Sequence, residues 1–221
     1  MNIKRIPEPE LMWDKKQSSA YARADFEAPH SNFIDLLKLS MRNDFGESAL
    51  AIDLGTGAAD IAIRFALEFP LFEIDAVDGS KEMLFEAEKA IAKNGLKNKI
   101  NLINSPIQKI SLAKKEYAVI FSNSLLHHLQ DPLVLWKLLK HVKGNPLIFI
   151  MDLIRPKTPK QVEKMTKQYT ANEPDILKRD FKNSLKAAFT IEEVDLQLTS
   201  VGLEDLCVKA VSDRHMIIYN R

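Results

Sequence analysis

The stretch Ala49-Leu-Ala-Ile-Asp53-Leu-Gly55-Thr-Gly57-Ala-Ala-Asp60 decides the fold of this chain. An apolar run ends in an acid, Asp53, turns through Gly55 and Gly57, and enters a helix-forming segment, AADIAIRFALEF. A βα unit opens in this way when it holds a nucleotide-like ligand. Glycine lets the backbone approach the ligand closely and adopt positive φ, while the helix that follows presents free N–H groups and the positive end of its dipole. Two of the seven glycines of the chain sit in this turn. A bare strand-to-helix turn needs one glycine and no acid at the strand end.

Downstream, strand and helix patterns alternate. LFEIDAV (71–77) reads as a second strand and leads into Asp78-Gly79-Ser80, where Ser80 is placed to cap the helix KEMLFEAEKAIAKNG, which stops at Gly95. KINLIN (99–104), YAVIFS (117–122) and NPLIFIMD (145–152) read as strands three to five. Helical material lies between them, including DPLVLWKLLKHV with Pro132 near its first turn. Near-continuous apolar strands with intervening helices specify a parallel sheet covered on both faces. Ligands of such sheets sit beyond the carboxyl ends of the strands. Asp53, Asp78, Asn104, Ser122 and Asp152 all fall there. An acid at the end of the second strand, about 20 residues past the glycines, is placed to accept hydrogen bonds from ribose hydroxyls.

Upstream, residues 1–10 contain Pro7 and Pro9 and are expected to form an extended arm. QSSAYARADFE (17–27) has a helical pattern that sets Tyr21, Asp25 and Phe26 on neighbouring faces. A second helix is expected from Ser31 as N-cap, with Phe33, Leu36, Leu37 and Met41 at helical spacing. These helices read either as ordinary amphipathic packing or as a lid over a ligand.

Composition bounds the function. The chain has 221 residues, enough for one α/β domain with an elaboration, and 46% hydrophobic with 28% charged residues is ordinary for a globular protein. A net charge of +1 gives no global reason to bind nucleic acid or an acidic membrane. Cys207 is the single cysteine, which excludes an internal disulfide, fits a reducing compartment and reads as a small buried hydrophobe in a late strand. No window has signal-peptide or membrane-span character, so a cytoplasmic location is expected.

Taken together, Asp53-Leu-Gly55-Thr-Gly57, Asp78-Gly79-Ser80 and SNSLLHHLQDP (122–132) resemble the class I S-adenosylmethionine-dependent methyltransferases, with the resemblance strongest over residues 49–152. The family implies a Rossmann-like three-layer αβα sandwich, a mostly parallel seven-stranded sheet with a C-terminal antiparallel hairpin, and a helical cap. The hairpin would be formed by LEDLCVKAV and RHMIIYN. Residues 1–45 are then an arm and helical cap, 46–221 the cofactor domain, and 153–189 a helical insertion into it. The resemblance assigns S-adenosylmethionine, with S-adenosylhomocysteine as product, to Asp53, Gly55, Gly57, Asp78, Gly79, Asn104, Ser105, Ile107, Ser122 and Asn123.

Two departures stand out. The third small position of the glycine turn is Ala59, which the family tolerates, and the Gly-Asp pair that many members carry after strand three is replaced by Asn104-Ser105-Pro106. The backbone near Ile107, or the side chain of Asn104 or Ser105, would take over the adenine contact.

His127 and His128 follow strand four, where methyl group and acceptor would meet. They read either as a structural lining of the pocket or, with Asp152, as proton acceptors. No metal is expected, because adjacent histidines on one short segment rarely face one ion and no thiolate is near. His30, His141 and His215 have no motif context. The long segment between strand five and the last helix is charged, Pro-interrupted and helical in pattern; it is expected to form two helices that roof the site with the N-terminal ones. Tyr21, Asp25, Arg155 and Asn183 are candidate acceptor contacts, with Tyr169, Arg179 and Asp180 in the same segment. Thr190 and Glu193 form a T-x-x-E capping box for the final helix.

The implied reaction is in-line attack by an O, N, S or C nucleophile of a small molecule on the sulfonium methyl. The protein then mainly aligns the reactants and excludes water. Two other readings stay open: a cofactor-binding module without catalysis, and a nicotinamide-dependent oxidoreductase, although Asp60 stands where the third glycine of its turn would be. A nucleic-acid methyltransferase is disfavoured, since no concentrated basic surface is present and no Asn-Pro-Pro-aromatic segment follows strand four. The oligomeric state is open, a homodimer included.

Overall fold

The computed structural model describes residues 3–12, 14–41 and 49–220. Its centre is a sheet of seven strands among the described residues, in the order β3-β2-β1-β4-β5-β7-β6. The strands are β1 Ala49–Leu54, β2 Phe72–Asp78, β3 Ile100–Asn104, β4 Val119–Asn123, β5 Leu147–Leu153, β6 Cys207–Ala210 and β7 His215–Tyr219. The first five run parallel, and β7 inserts antiparallel between β5 and β6. Chain order reverses between β1 and β4, the switch point where open α/β sheets bind ligands. The helices are α1 Lys15–Arg23, α2 Glu27–Ser40, α3 Asp60–Glu68, α4 Lys81–Lys93, α5 Leu133–Lys140, α6 Pro159–Tyr169, α7 Asp175–Ala187 and α8 Ile191–Val201.

Two-residue alternation along the central strands sorts the core onto the two faces of the sheet. On one face Ala51, Phe121, Phe149 and Met151 pack with Phe33 of α2 and Phe65 of α3. The Phe65 ring stacks on Phe121 at 4.8 Å, and Phe33 meets Phe149 edge-on at 5.2 Å. On the other face Ile52, Ile120 and Ile150 pack with Trp136 of α5 and with Val194 and Leu198 of α8. Both patterns follow from apolar residues on successive sequence positions, which only a sheet buried on both faces can use.

Most element ends form as expected. Ser80 Oγ accepts the Met83 N–H at 3.2 Å, and the Thr190–Glu193 capping box is complete. Two expectations are corrected. The helix predicted from Ser31 begins one turn earlier, at Glu27, because the Asp25 carboxylate accepts the Glu27 N–H at 3.0 Å; Ser31 instead donates its hydroxyl to Glu27 Oε1 at 2.8 Å. Cys207 is only half-buried, because β6 is the edge strand. The boundary expected between residues 45 and 46 lies outside the described residues. No helix is long and apolar enough to cross a membrane among the described residues.

Residues 3–12 run extended across the molecule. The Ile3 and Ile6 N–H groups donate to Lys157 O and Lys186 O at 3.1 and 3.0 Å. The Arg5 guanidinium lies 4.0 Å over the Phe189 ring and donates to the carbonyls of Ala187, His127 and Leu129. The arm therefore ties the α6–α7 region to the loop that follows β4.

Candidate functional site

The glycine turn is stitched to the end of β2. The N–H groups of Gly55 and Thr56 both donate to Val77 O at 2.9 Å. Gly55 has φ +78°, and a Cβ there would lie 2.9 Å from Leu125 Cδ1, so this position needs glycine for conformation and for space. Ala59, at the N-cap of α3, adopts φ +66° while fully buried, so the third small position carries the left-handed strain that glycine would avoid. Ser124, just after β4, is the other non-glycine residue at positive φ among the described residues. Both strained residues flank the carboxyl end of the sheet, where strain accompanies functional geometry.

Two acids face this turn. Asp78 Oδ2 accepts the Gly57 N–H at 2.9 Å, and Oδ1 accepts the Ser80 N–H at 2.7 Å. Burial pushes its carboxyl up, against the pull of these two donors. Asp53 is 1% exposed, and its Oδ2 has no hydrogen-bond partner. Burial pushes the Asp53 carboxyl up to about 7.

Above the turn lies a cavity of about 740 Å³. Asp53, Gly55, Gly57, Asp78 and Gly79 form its floor, Ser105 and Ile107 one side, and Asn123, Leu125 and His128 the other. Tyr21 and His30 come from α1 and α2, and Asp25 and Phe26 from the turn between them, to form a wall. Tyr21 packs on Phe26 at 4.7 Å, and Phe26 stacks on His30 at 5.0 Å, so this wall is aromatic. Burial pushes the Tyr21 hydroxyl up to about 12, with Asp60 and Asp78 adding to the shift, so the phenol stays protonated. Residues 10–12 of the arm close the remaining edge: Glu10 accepts from the Gln130 N–H at 2.8 Å and from Gln108 Nε2 at 3.0 Å, and Ser80 Oγ donates to Met12 O. Leu11 fits so closely over Gly79 that a Cβ there would lie 2.7 Å from Leu11 Cδ2.

After β4, the loop folds into a 3₁₀ turn, Leu126–His128, pinned from below by Asp152. The Asp152 carboxylate accepts from the Leu126 N–H at 2.7 Å, the Leu153 N–H at 2.6 Å and His127 Nδ1 at 2.6 Å. Burial opposes ionisation of Asp152, but the His127 ring and these bonds prevail and hold its carboxyl below the usual range. Asp152 and His127 are 1% and 2% exposed and stand behind the cavity wall rather than in it. His128 lines the cavity; burial, then the neighbouring His127 charge, brings its ring down to about 3, so it stays neutral.

Several other candidates lie elsewhere. Ser122 is fully buried and donates to Leu54 O at 2.6 Å, which locks β4 to β1. Asn104 donates to Asp78 O at 3.1 Å and supports the β2 end from outside. Arg155 is held by the Ala188 carbonyl and the Glu193 carboxylate, away from the cavity. Asn183 is exposed on α7. Tyr169 donates to Asp213, and Asp180 accepts from Gln17 Nε2 of α1. Sequence reasoning missed the arm residues Glu10, Leu11 and Met12, and it passed over His30, which pairs with Asp60 Oδ2 at 2.5 Å while Arg64 links Asp60 to Glu27. The spacing of Phe26 and His30 on one helical face was the available signal for the second.

A parallel sheet with a glycine turn and strand-end acids around one cavity defines a nucleotide-type binding protein of the doubly wound α/β class. Residues 47–194 match the family model described as "Methyltransferase domain", and the chain belongs to that family. It is 25% identical over 159 residues to the malonyl-[acyl-carrier protein] O-methyltransferase of Legionella pneumophila, covering 70% of this chain and 55% of that protein. It is 29% identical over 100 residues to the ribosomal RNA small subunit methyltransferase G of Thermoanaerobacter sp. (strain X514), covering 45% of this chain and 41% of that protein. The chain thus spans about half the length of the curated relatives it matches. In fold it is similar to a SAM dependent methyltransferase from Aquifex aeolicus, with TM-score 0.67, 20% identity, and 94% and 98% of the two chains covered. It is also similar to the plantazolicin methyltransferase BpumL in complex with a triazolic desmethylPZN analog and SAH, with TM-score 0.68, 20% identity, and 94% and 91% covered.

Proposed function

We propose that the protein transfers the methyl group of S-adenosylmethionine to a small-molecule acceptor. The observation that carries this reading is the pairing, across one cavity, of a cofactor-type floor with an aromatic wall. Asp53 offers a buried, unpartnered carboxylate oxygen, suited to a cationic amino-acid end. Asp78 keeps lone pairs for ribose hydroxyls while its two backbone donors fix its rotamer. Leu125 over Gly55 and Leu11 over Gly79 bring apolar side chains against the glycine backbone of the cavity. Ser105 and Ile107 line the same cavity and are assigned the adenine contact. The bound cofactor supplies an activated methyl group; the related fold of BpumL in complex with SAH supports this assignment.

The chain's own residues then orient and exclude. Tyr21, Phe26 and His30 would wall an acceptor of modest size, and the arm at residues 10–12 would shut out water. With His127 and Asp152 committed to each other, His128 is the member of that trio on the cavity wall. A ring held neutral by burial down to about 3 is a weak base. The site therefore suits acceptors that arrive with their lone pair ready, such as a thiolate, a carboxylate or an aromatic nitrogen. Relatives named for ribosomal RNA, ribosomal protein and acyl-carrier substrates show that acceptor class varies among similar proteins. The enclosed aromatic wall and the net charge of +1 favour the small molecule here.

The test is calorimetric titration with S-adenosylmethionine, S-adenosylhomocysteine and NAD, followed by methyl transfer to a metabolite panel. Binding of the first two with transfer to a thiol, carboxylate or heteroaromatic compound is expected. Binding of NAD alone overturns the reading. Tight cofactor binding with no transfer to any compound, or transfer only to RNA or protein, removes the small-molecule acceptor.

A further inference from the structure

Beneath the arm, three side chains outside the cofactor floor converge. Glu8 Oε1 lies 3.5 Å from His127 Nε2 and 3.3 Å from His128 Nδ1, and the ligating atoms of all three lie within 4.8 Å of one another. From this geometry we propose that Glu8, His127 and His128 form a binding site for a divalent first-row transition metal ion, which fastens the N-terminal arm over the cavity.

Each ligand is already oriented by a further bond. His127 Nδ1 is engaged with Asp152 Oδ1 at 2.6 Å, which leaves Nε2 turned toward Glu8. A carboxylate behind a histidine in this way fixes the ring and raises its strength as a ligand. The ring of His128 bonds to the Pro9 carbonyl, while its Nδ1 is buried and has no hydrogen-bond partner, although Glu8 Oε1 is 3.3 Å away. Glu8 itself is steadied by Ser184 Oγ, which donates to Oε1 at 2.9 Å. Arg5, the nearby cation of the arm, is occupied by three carbonyls. The cluster thus brings one ligand atom from each of three groups to within 4.8 Å of the others, an arrangement that hydrogen bonds among the three do not complete.

Two imidazoles and a carboxylate suit zinc, cobalt, iron or manganese, and bond lengths of about 2.0–2.2 Å put neighbouring ligand atoms about 3.0–3.5 Å apart. The separations from Glu8 of 3.3 and 3.5 Å match that spacing. Neighbouring histidines in sequence rarely share an ion because their side chains diverge. Here the 3₁₀ turn brings the two rings to 4.2 Å between centroids with 34° between planes. Glu8 comes from an arm more than a hundred residues away in sequence, so a bound ion would link distant segments of the chain.

The experiment uses the untagged protein, freed of metal by chelator and titrated with Co²⁺ and Zn²⁺ alone. One equivalent of Co²⁺ should bind with a visible d–d absorption band, Zn²⁺ should displace it, and either ion should slow hydrogen exchange of residues 3–12. Glu8→Gln and His128→Asn should each weaken Co²⁺ binding at least tenfold while the apo protein keeps its melting temperature within a few degrees. If Glu8→Gln fails to fold, His128→Asn alone carries the comparison. Absence of stoichiometric binding to the wild-type protein, or equal binding by the His128→Asn variant, overturns the site. Neither readout depends on methyl transfer, so failure here is separate from failure of the proposed function.

Discussion

The Asp78 carboxylate, at the end of β2, accepts the backbone N–H of Gly57 in the turn after β1 at 2.9 Å. One acid thus closes the junction between the two βα units that make the cavity floor, because its other oxygen holds the Ser80 N–H at the start of α4. The turn geometry and the proposed ribose contact fall on the same carboxylate.

Replacing Asp78 with Ala should therefore have two measurable effects. Loss of a charged acceptor is worth about 1–3 kcal/mol, so the affinity for S-adenosylmethionine should fall by roughly 5- to 150-fold in calorimetry. The melting temperature should drop as well, since two backbone donors lose their partner. Unchanged affinity would remove Asp78 from the ribose site, whatever happened to stability.

Glycine at 55 and at 95 shares the left-handed conformation but not the surroundings. A Cβ at Gly55 meets Leu125 at 2.9 Å, whereas at Gly95 nothing lies within 4 Å. Gly95→Ala should cost about 1 kcal/mol from conformation alone. Gly55→Ala should cost that plus the displacement of Leu125, about 2–3 kcal/mol in denaturant unfolding, and should weaken cofactor binding. Equal losses at the two sites would show that contact with Leu125 contributes nothing.

These positions also mark what the sequence made legible. The β1 turn, the Ser80 cap and the Thr190–Glu193 box are local: a few consecutive residues carry the whole signal, and each forms as expected. Arg155 and Asn183 were placed by connectivity alone. The structure spends Arg155 on Glu193 and Ala188 and leaves Asn183 exposed, because nothing local in a charged helical segment says which face turns inward. Glu8 and Leu11 were invisible for another reason. Their partners, His127, His128 and Gly79, lie far along the chain, and an extended arm has no periodicity to display its inner side.

Asp152 shows the same limit, since its place at the end of a strand reads equally as a base or as a support. With its carboxylate bonded to the 3₁₀ turn and to its own strand, it acts as a positioning residue. Asp152→Asn leaves the buried His127 ring without its carboxylate and should destabilise the protein by about 3 kcal/mol in denaturant unfolding. The His128→Asn substitution touches fewer buried partners and should cost less. An Asp152→Asn protein of full stability would mean that the turn is held by other contacts.

Asp53 yields the last prediction, through its pH dependence. Its carboxyl titrates at about 7 in the folded protein against an ordinary 3.8, so between those values the native state keeps a proton that the unfolded state has released. Stability from this group is therefore greatest at acid pH, falls as pH rises from about 4 to about 7, and stays at its lower level above that. Asp53→Asn removes the titration while keeping the shape. The melting-temperature difference between variant and wild type should shift in favour of the variant from about pH 5 to about pH 7 and become constant above about pH 8. A difference independent of pH would show that Asp53 is ionised throughout. With the proposed placement of the cofactor's cationic end at Asp53, saturating S-adenosylmethionine would favour the charged form of the carboxylate, so the same series run with cofactor should lose most of its slope in the wild type and change little in the variant. A slope that survives saturation would place the cationic end of the cofactor away from Asp53.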